Sequence, residues 1–267
     1  MAKYIEVKNN NNIVSVDDKQ PRLSLIRSVN LETIGTDQSG TFAWLSYGGQ
    51  EQYCIRSFFR FPIGLGANEK MFSIRALQDN PHVGFTRLAS NDSVSYLYAY
   101  VNAYGTTDGS FDFSKYIIDF YGYDDTVTGQ TGLQVFDENG KIVFNSNKYY
   151  FDVKGLYNVQ HADGTARIFV DSADIFPRNI NIGGHSRDKS AVVINCGGYN
   201  FCKFSSYYDT PYDVVFTVVF NGTIYLEPRI VFWVNDKSTY TNPSNHIAFP
   251  NFARLSSGTI IDTTNIS

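Results

Sequence analysis

Apolar and polar residues alternate along most of the chain. The runs include Ile5 and Val7, Ile13 to Val16, Leu23 and Leu25, Phe72 and Ile74, Tyr96, Tyr98 and Tyr100, Tyr116 to Phe120, Leu133 and Val135, Ile142 and Phe144, and Phe151 and Val153. A period of two places successive side chains on opposite faces, so these runs predict half-buried strands. Between them lie turn-forming clusters: Asn9 to Asn12, Gly48-Gly49, Asp137-Glu138-Asn139-Gly140, Gly197-Gly198 and Asn221-Gly222. Such residues accept positive φ or bond their own backbone, which hairpins require. Asn221-Gly222, between the runs Val214–Phe220 and Thr223–Leu226, predicts a type I′ hairpin. No segment has the pattern of a helix longer than two turns; Asn68 to Lys70 and the stretch around Ser114-Lys115 predict short turns only.

The pattern also repeats. Tyr4-Ile5-Glu6-Val7-Lys8-Asn9 returns 128 positions later as Gly132-Leu133-Gln134-Val135-Phe136-Asp137. At that offset Val14 falls on Ile142, Val16 on Phe144, Leu23 on Phe151 and Leu25 on Val153, which reads as a hairpin followed by a third strand. Two further blocks follow in the same order. Phe85–Ser90 is matched with Phe201–Ser206, each leading into an aromatic-rich strand (Val94–Val101 and Val214–Phe220), and Tyr116–Tyr121 is matched with Arg229–Val234. Ordered blocks of this kind imply tandem duplication of a β-rich unit. The expected fold is therefore all-β, with two tandem duplicated antiparallel β-sandwich modules, 1–128 and 129–267, packed end to end and joined through the small polar stretch Thr126–Thr131.

Composition narrows the functional classes. Of 267 residues 16 % are aromatic and 18 % charged, a balance that suits pleated half-buried surfaces and excludes a helical bundle. A hydrophobic content of 43 % excludes disorder, and a net charge of -4 leaves no global basic field for nucleic acid. The amino terminus lacks an apolar segment of secretory length and no run is long enough to span a membrane, so synthesis in the cytoplasm without a signal peptide is expected. Cys54, Cys196 and Cys202 are too few and too widely spaced for a disulfide framework or a zinc knuckle, and read as buried thiols.

No motif for catalysis stands out. His82, His161, His185 and His246 lie in four separate contexts without a second ligand at metal spacing. Gly183-Gly184-His185 is followed by no helix that could lend its amides to a phosphate. Asp17-Asp18 and Asp124-Asp125 could serve as the paired carboxylates of a glycosidase, yet their counterparts in the other half are Asn145-Ser146 and Asp236-Lys237, so they read as turn formers. No metal or cofactor is expected. The remaining candidates for binding are aromatics at strand ends and in loops: Tyr47, Tyr121, Tyr123, Tyr149, Tyr207, Tyr208, Tyr212 and Tyr240. Each offers a flat apolar face and a hydroxyl, suited to stacking on a sugar or to subunit contact.

The hairpin Gly132-Leu133-Gln134-Val135-Phe136-Asp137-Glu138-Asn139-Gly140-Lys141-Ile142-Val143-Phe144-Asn145-Ser146 resembles a hairpin of virion tail proteins in tailed bacteriophages. The opening Tyr4-Ile5-Glu6-Val7 through Asp18 resembles the start of similar phage proteins, although Asn12 stands where the second copy has Gly140. The resemblance implies a non-enzymatic structural protein of the tail tip, baseplate or fibre-attachment region. Its partners would be other tail proteins and further copies of itself in a symmetric assembly. A receptor- or carbohydrate-binding adhesin at the tail extremity is the alternative from another class, with a capsid decoration protein a third.

Overall fold

The computed structural model describes residues 7–8, 14–16, 22–41, 55–88, 95–102, 111–124, 133–160, 180–197, 199–203, 211–232 and 255–266. Within them the alternating runs become strands. The first half of the chain carries β1 (Val7–Lys8), β2 (Val14–Val16), β3 (Ser24–Asn30), β4 (Gln38–Thr41), β5 (Ile55–Ile63), β6 (Glu69–Ala76), β7 (Asn80–Leu88), β8 (Ser95–Asn102) and β9 (Tyr116–Gly122). The second half carries β10 (Gln134–Phe136), β11 (Ile142–Asn145), β12 (Val153–Gln160), β13 (Ile180–Ser186), β14 (Ser190–Cys196), β15 (Tyr199–Lys203), β16 (Pro211–Asn221), β17 (Thr223–Phe232) and β18 (Leu255–Asp262). A single helical turn, α1 (Leu31–Ile34), follows β3; the Asn30 side chain caps it by accepting the Glu32 N–H. The linker Thr126–Thr131 lies outside the described residues.

Two large antiparallel sheets result. One has the order β12-β18-β14-β6-β9-β3; the other runs β13-β17-β16-β7-β8-β5-β4, with β15 attached to β16. The hairpins β1-β2 and β10-β11 stand apart from both. The two sheets share one core, in which Phe61, Phe85, Leu97, Val218 and Leu226 of one meet Phe72, Ile118, Phe120, Val192 and Ile260 of the other. Alternation gives the six-stranded sheet a second apolar face, where Tyr121, Ala191, Val193 and Ile261 pack with Leu25, Met71 and Phe151.

The expected end-to-end packing of two separate sandwiches does not occur. Strands from both sides of residue 128 enter each sheet, meeting where β14 pairs β6 at Val192 and Ile74, and where β16 pairs β7 at Val218 and Phe85. The physical reason is the edge strand. Three or four strands from one half would leave unpaired N–H and C=O groups, and pairing across the halves satisfies them. The six-stranded sheet also closes on itself at one end. Leu25 N–H donates to the Tyr149 carbonyl (2.7 Å), Phe151 N–H to the Leu23 carbonyl (2.9 Å), and Asp262 N–H to the Asp152 carbonyl (2.8 Å). The chain just ahead of β12 thus runs between β18 and β3 and joins the two edges.

The halves contribute strands in the same order. Counting along the chain, β3, β6 and β9 take the same relative places in the six-stranded sheet as β12, β14 and β18; β5, β7 and β8 match β13, β16 and β17 in the other. The two opening hairpins pair at positions 128 apart. Val7 pairs Val16 and Lys8 pairs Val14, with an irregularity between; 128 positions on, Val135 pairs Phe144 and Phe136 pairs Ile142, with the same irregularity. Leu25–Tyr121 and Arg27–Phe120 flank a bulge, as do Val153–Ile261 and Gly155–Ile260. The later blocks need correction. Tyr116–Tyr121 lies in β9 of the six-stranded sheet whereas Arg229–Val234 begins in β17 of the other, and β18 holds the place of β9. The extra strand β15 displaces the count by one, and strict alternation makes neighbouring strands look alike. The β16-β17 turn also differs from the expected two-residue loop, since Asn221 pairs Thr223 and Gly222 alone stands at the apex with φ 65°.

Polar contacts tie the halves together beside these pairings. Asp79 accepts the Gly222 N–H (2.7 Å) and pairs with Arg187 (2.9 Å). Arg229, wholly buried, pairs with Glu227 (2.5 Å) and donates to the Pro81 carbonyl (2.7 Å). Burial pushes the Glu227 carboxyl up, with Arg229 opposing the shift. At the same junction Thr217 fills the space where a Cβ on Gly84 would stand. The Gly222 amide, with Arg187 second, holds the Asp79 carboxyl below the usual range.

Two outcomes follow. Replacing Arg229→Met strands the Glu227 carboxylate and costs about 3–5 kcal/mol in urea unfolding, whereas adding Glu227→Gln restores part of it. Because the folded-state pKa of Asp79 is lowered, its charge stabilises above the unfolded aspartate value and ceases to as pH falls through the folded value. The stability curves of the wild type and Asp79→Asn therefore converge below about pH 4.

Candidate functional site

The closure of the six-stranded sheet creates a polar surface, and the hairpin β10-β11 builds one wall of it. Asp137 shapes the hairpin turn: its side chain accepts the Asn139 and Lys141 N–H groups (2.9 and 2.8 Å), and Gly140 supplies the positive φ of 78°. A polar corner follows. The Asn145 side chain accepts the Asn147 N–H, and the Tyr150 hydroxyl accepts the Asn145 N–H (2.5 Å) while donating to its carbonyl (3.1 Å). Burial raises the Tyr150 pKa, so the hydroxyl stays protonated and can make both bonds. Its ring stacks on Phe144 with centroids 5.1 Å apart, and the Arg22 guanidinium lies 5.0 Å from its centroid.

Between this corner and the ends of β3 and β9 lies a small polar cleft with room for about one water, lined by Arg22, Ser24, Tyr123, Asp124, Lys141 and Tyr150 over an apolar floor of Ile142 and Val143. Arg22 is paired with Asp152 (2.7 Å) and Asp124 with Lys148 (3.0 Å). Lys148 also donates to the Asp124 carbonyl (2.6 Å), which fixes the far rim. Ser24 is 1 % exposed, and among the described residues its hydroxyl meets no hydrogen-bond partner.

The candidate tyrosines separate. Tyr123 lines the cleft and Tyr149 stands at the closure, both exposed. Tyr121 is not a surface residue. It is fully buried in the second apolar cluster, its ring edge-on to Phe151 at 5.2 Å, and burial pushes its hydroxyl pKa up. Alternation does not separate them, since residues two apart share a face; the difference is that Tyr121 lies within β9 and packs into the closed end, whereas Tyr123 follows the last residue of the strand. Tyr212 pairs with Phe232 and Cys202 through its backbone, and its side chain is not described. Tyr47, Tyr207, Tyr208 and Tyr240 lie outside the described residues. Of the cysteines only Cys196 is described in full: it is free and half-buried, with burial raising its thiol.

Arg22, Ser24, Asp124 and Lys141 carry no sequence signal as a group, because they come from the first and second halves and meet only at the closure. A second aromatic row was legible by alternation, although its Tyr100 is buried. Tyr96, Tyr98 and Tyr100 share one face of β8; Tyr98 and Tyr100 stack at 6.3 Å, and Arg60, held by Asp37 at 2.8 and 2.9 Å, lies 4.5 Å from the Tyr96 centroid. Among the described residues no cluster of three or more His, Cys, Asp or Glu side chains is placed to hold a metal ion.

Tyr150→Phe, which removes both bonds to Asn145, lowers stability by about 1–3 kcal/mol in thermal or urea unfolding and loosens the corner, read as faster amide exchange at Asn145. Compared with known protein families, curated proteins and solved structures, the chain matches none.

Proposed function

We propose that the protein is a non-enzymatic structural component of a bacteriophage tail, built from a duplicated β module and working through protein–protein contacts. The observation that carries the reading is the exposed apolar surface around the second hairpin. Leu133, Phe136, Tyr149, Val153 and Leu156 are between 42 and 76 % exposed, all within the stretch 133–156 that includes or follows the hairpin resembling those of tail proteins. Large apolar side chains concentrated on one stretch favour a partner surface. Shared strand order and shared bulges in the two halves support the duplication. The ion pairs support a structural reading of the carboxylates: Arg75 takes Asp119, Arg27 takes Glu69, and Arg60 takes Asp37. The adhesin reading is favoured by one feature, the cleft beside Tyr123.

The test is the composition of purified virions. The chain is expected in the tail fraction at a fixed multiple of a known tail protein, and Phe136→Asp with Leu156→Asp is expected to abolish incorporation at unchanged Tm. Absence from virions, or presence on isolated capsids alone, overturns the proposal.

A further inference from the structure

We infer that the outer edge of β12 pairs antiparallel with β12 of a second copy of the chain, across a two-fold axis at Leu156. The inference rests on the self-assembly in the reading above and gives it a strand and a register. Each of the two sheet orders ends in two strands, and three of these four are guarded against further pairing. The edge of β3 already receives the closing stretch, since Leu25 N–H donates to the Tyr149 carbonyl, and its last residue turns into α1. β4 is only four residues long. β13 loses its register between Asn181 and Ser186, where Gly183 and Gly184 take positive φ. Short length, bulges and covered edges are the devices by which sheets avoid adding strands. β12 lacks them beyond its first residues. From Gly155 to Gln160 it pairs β18 residue for residue and without proline, and among the described residues no strand pairs with its other side. Its one charged side chain, Lys154, is drawn to Asp262 (3.1 Å) and the Lys189 carbonyl (2.8 Å), so no free charge guards the edge either.

The same features select the occupant. Tyr157 and Val159 face the shared core, so alternation puts Leu156 on the outer face, where it is 76 % exposed. Directly opposed residues of an antiparallel pair lie on one face, so a two-fold axis between identical strands must pass through a residue. Centred on Leu156, the pairing sets this leucine beside its own copy, withdraws both from water and keeps the two Lys154 residues apart. Centred on Lys154 it would oppose like charges, and centred on Asn158 it would part the leucines. With Lys154 neutralised by Asp262, two copies meet without repulsion, and the edge has no free charge with which to select a charged foreign segment. The six-stranded sheets of the two copies then run on as one, joined as the two halves of a single chain are joined.

The experiment is sedimentation velocity with amide exchange on the full chain. A dimer is expected at about 100 μM that dissociates on dilution to about 1 μM, with the outward β12 amides exchanging at least about tenfold more slowly in the dimer. Leu156→Lys and Leu156→Glu, at a position already exposed, are expected to keep the wild-type Tm. Each alone is expected to be monomeric, because like charges then face each other, and a mixture of the two is expected to restore the dimer. Only a contact that sets this position against its own copy gives that rescue. A wild type that is monomeric at about 100 μM overturns the inference, whether its β12 amides exchange freely or are covered by another part of the same chain. So do dimers that persist in both variants, which place the contact elsewhere, and variants whose mixture stays monomeric. Dimerisation is read on the purified chain and tail incorporation on virions, so the failure of one proposal is distinguishable from that of the other.

Discussion

Pairing between the two halves of the chain is the constraint on which the rest of the structure depends. Each large sheet is continuous only because β6 meets β14 and β7 meets β16. Without those ladders each half would expose two long strand edges in a chain where 43 % of residues are hydrophobic, a surface prone to pairing with other chains. The main core follows from the same pairing, since its residues come from strands on both sides of the junctions. The contacts of Asp79 with Gly222 and Arg187, and of Arg229 with the Pro81 carbonyl, add polar ties across the same junction.

Closure at the other end has a different character. Only a short stretch, Tyr149 to Asp152, lies between β18 and β3, and beyond it β3 and β12 diverge. That short overlap packs the buried Tyr121 and Ile261 against the partly buried Leu25 and Phe151 and leaves polar groups beside them. Charge is distributed accordingly: Asp119 is withdrawn and matched by Arg75, whereas Arg22, Lys141 and Asp124 face the cleft. Large apolar side chains such as Leu156 and Phe136 remain outside.

The candidate site was legible only in fragments. Tyr123 and Tyr149 stand out as aromatics next to turns, and Asp137 and Gly140 announce the hairpin wall. Tyr121 carried the same signal as Tyr123, yet it is buried, because it lies within β9 where the closed end packs over it, whereas Tyr123 lies just beyond the strand. Arg22 and Ser24 precede the hairpin by more than a hundred positions and nothing local connects them to Lys141. Their meeting is a consequence of sheet closure.

The sequence by itself determined the strand content, the turns at Gly140 and Gly222, and the offset of 128 that links the two opening hairpins, because alternation and positive φ are local properties written residue by residue. It did not determine which strands share a sheet. The matching of Tyr116–Tyr121 with Arg229–Val234 failed because every strand in such a chain alternates in the same way, and hydrogen bonding between distant edges alone distinguishes β17 from β18. Tertiary structure decided that the halves would merge into two shared sheets, since unsatisfied backbone groups at an edge have no local remedy. Closure of the six-stranded sheet, another contact between distant edges, buried Tyr121 and placed Ser24 in the cleft.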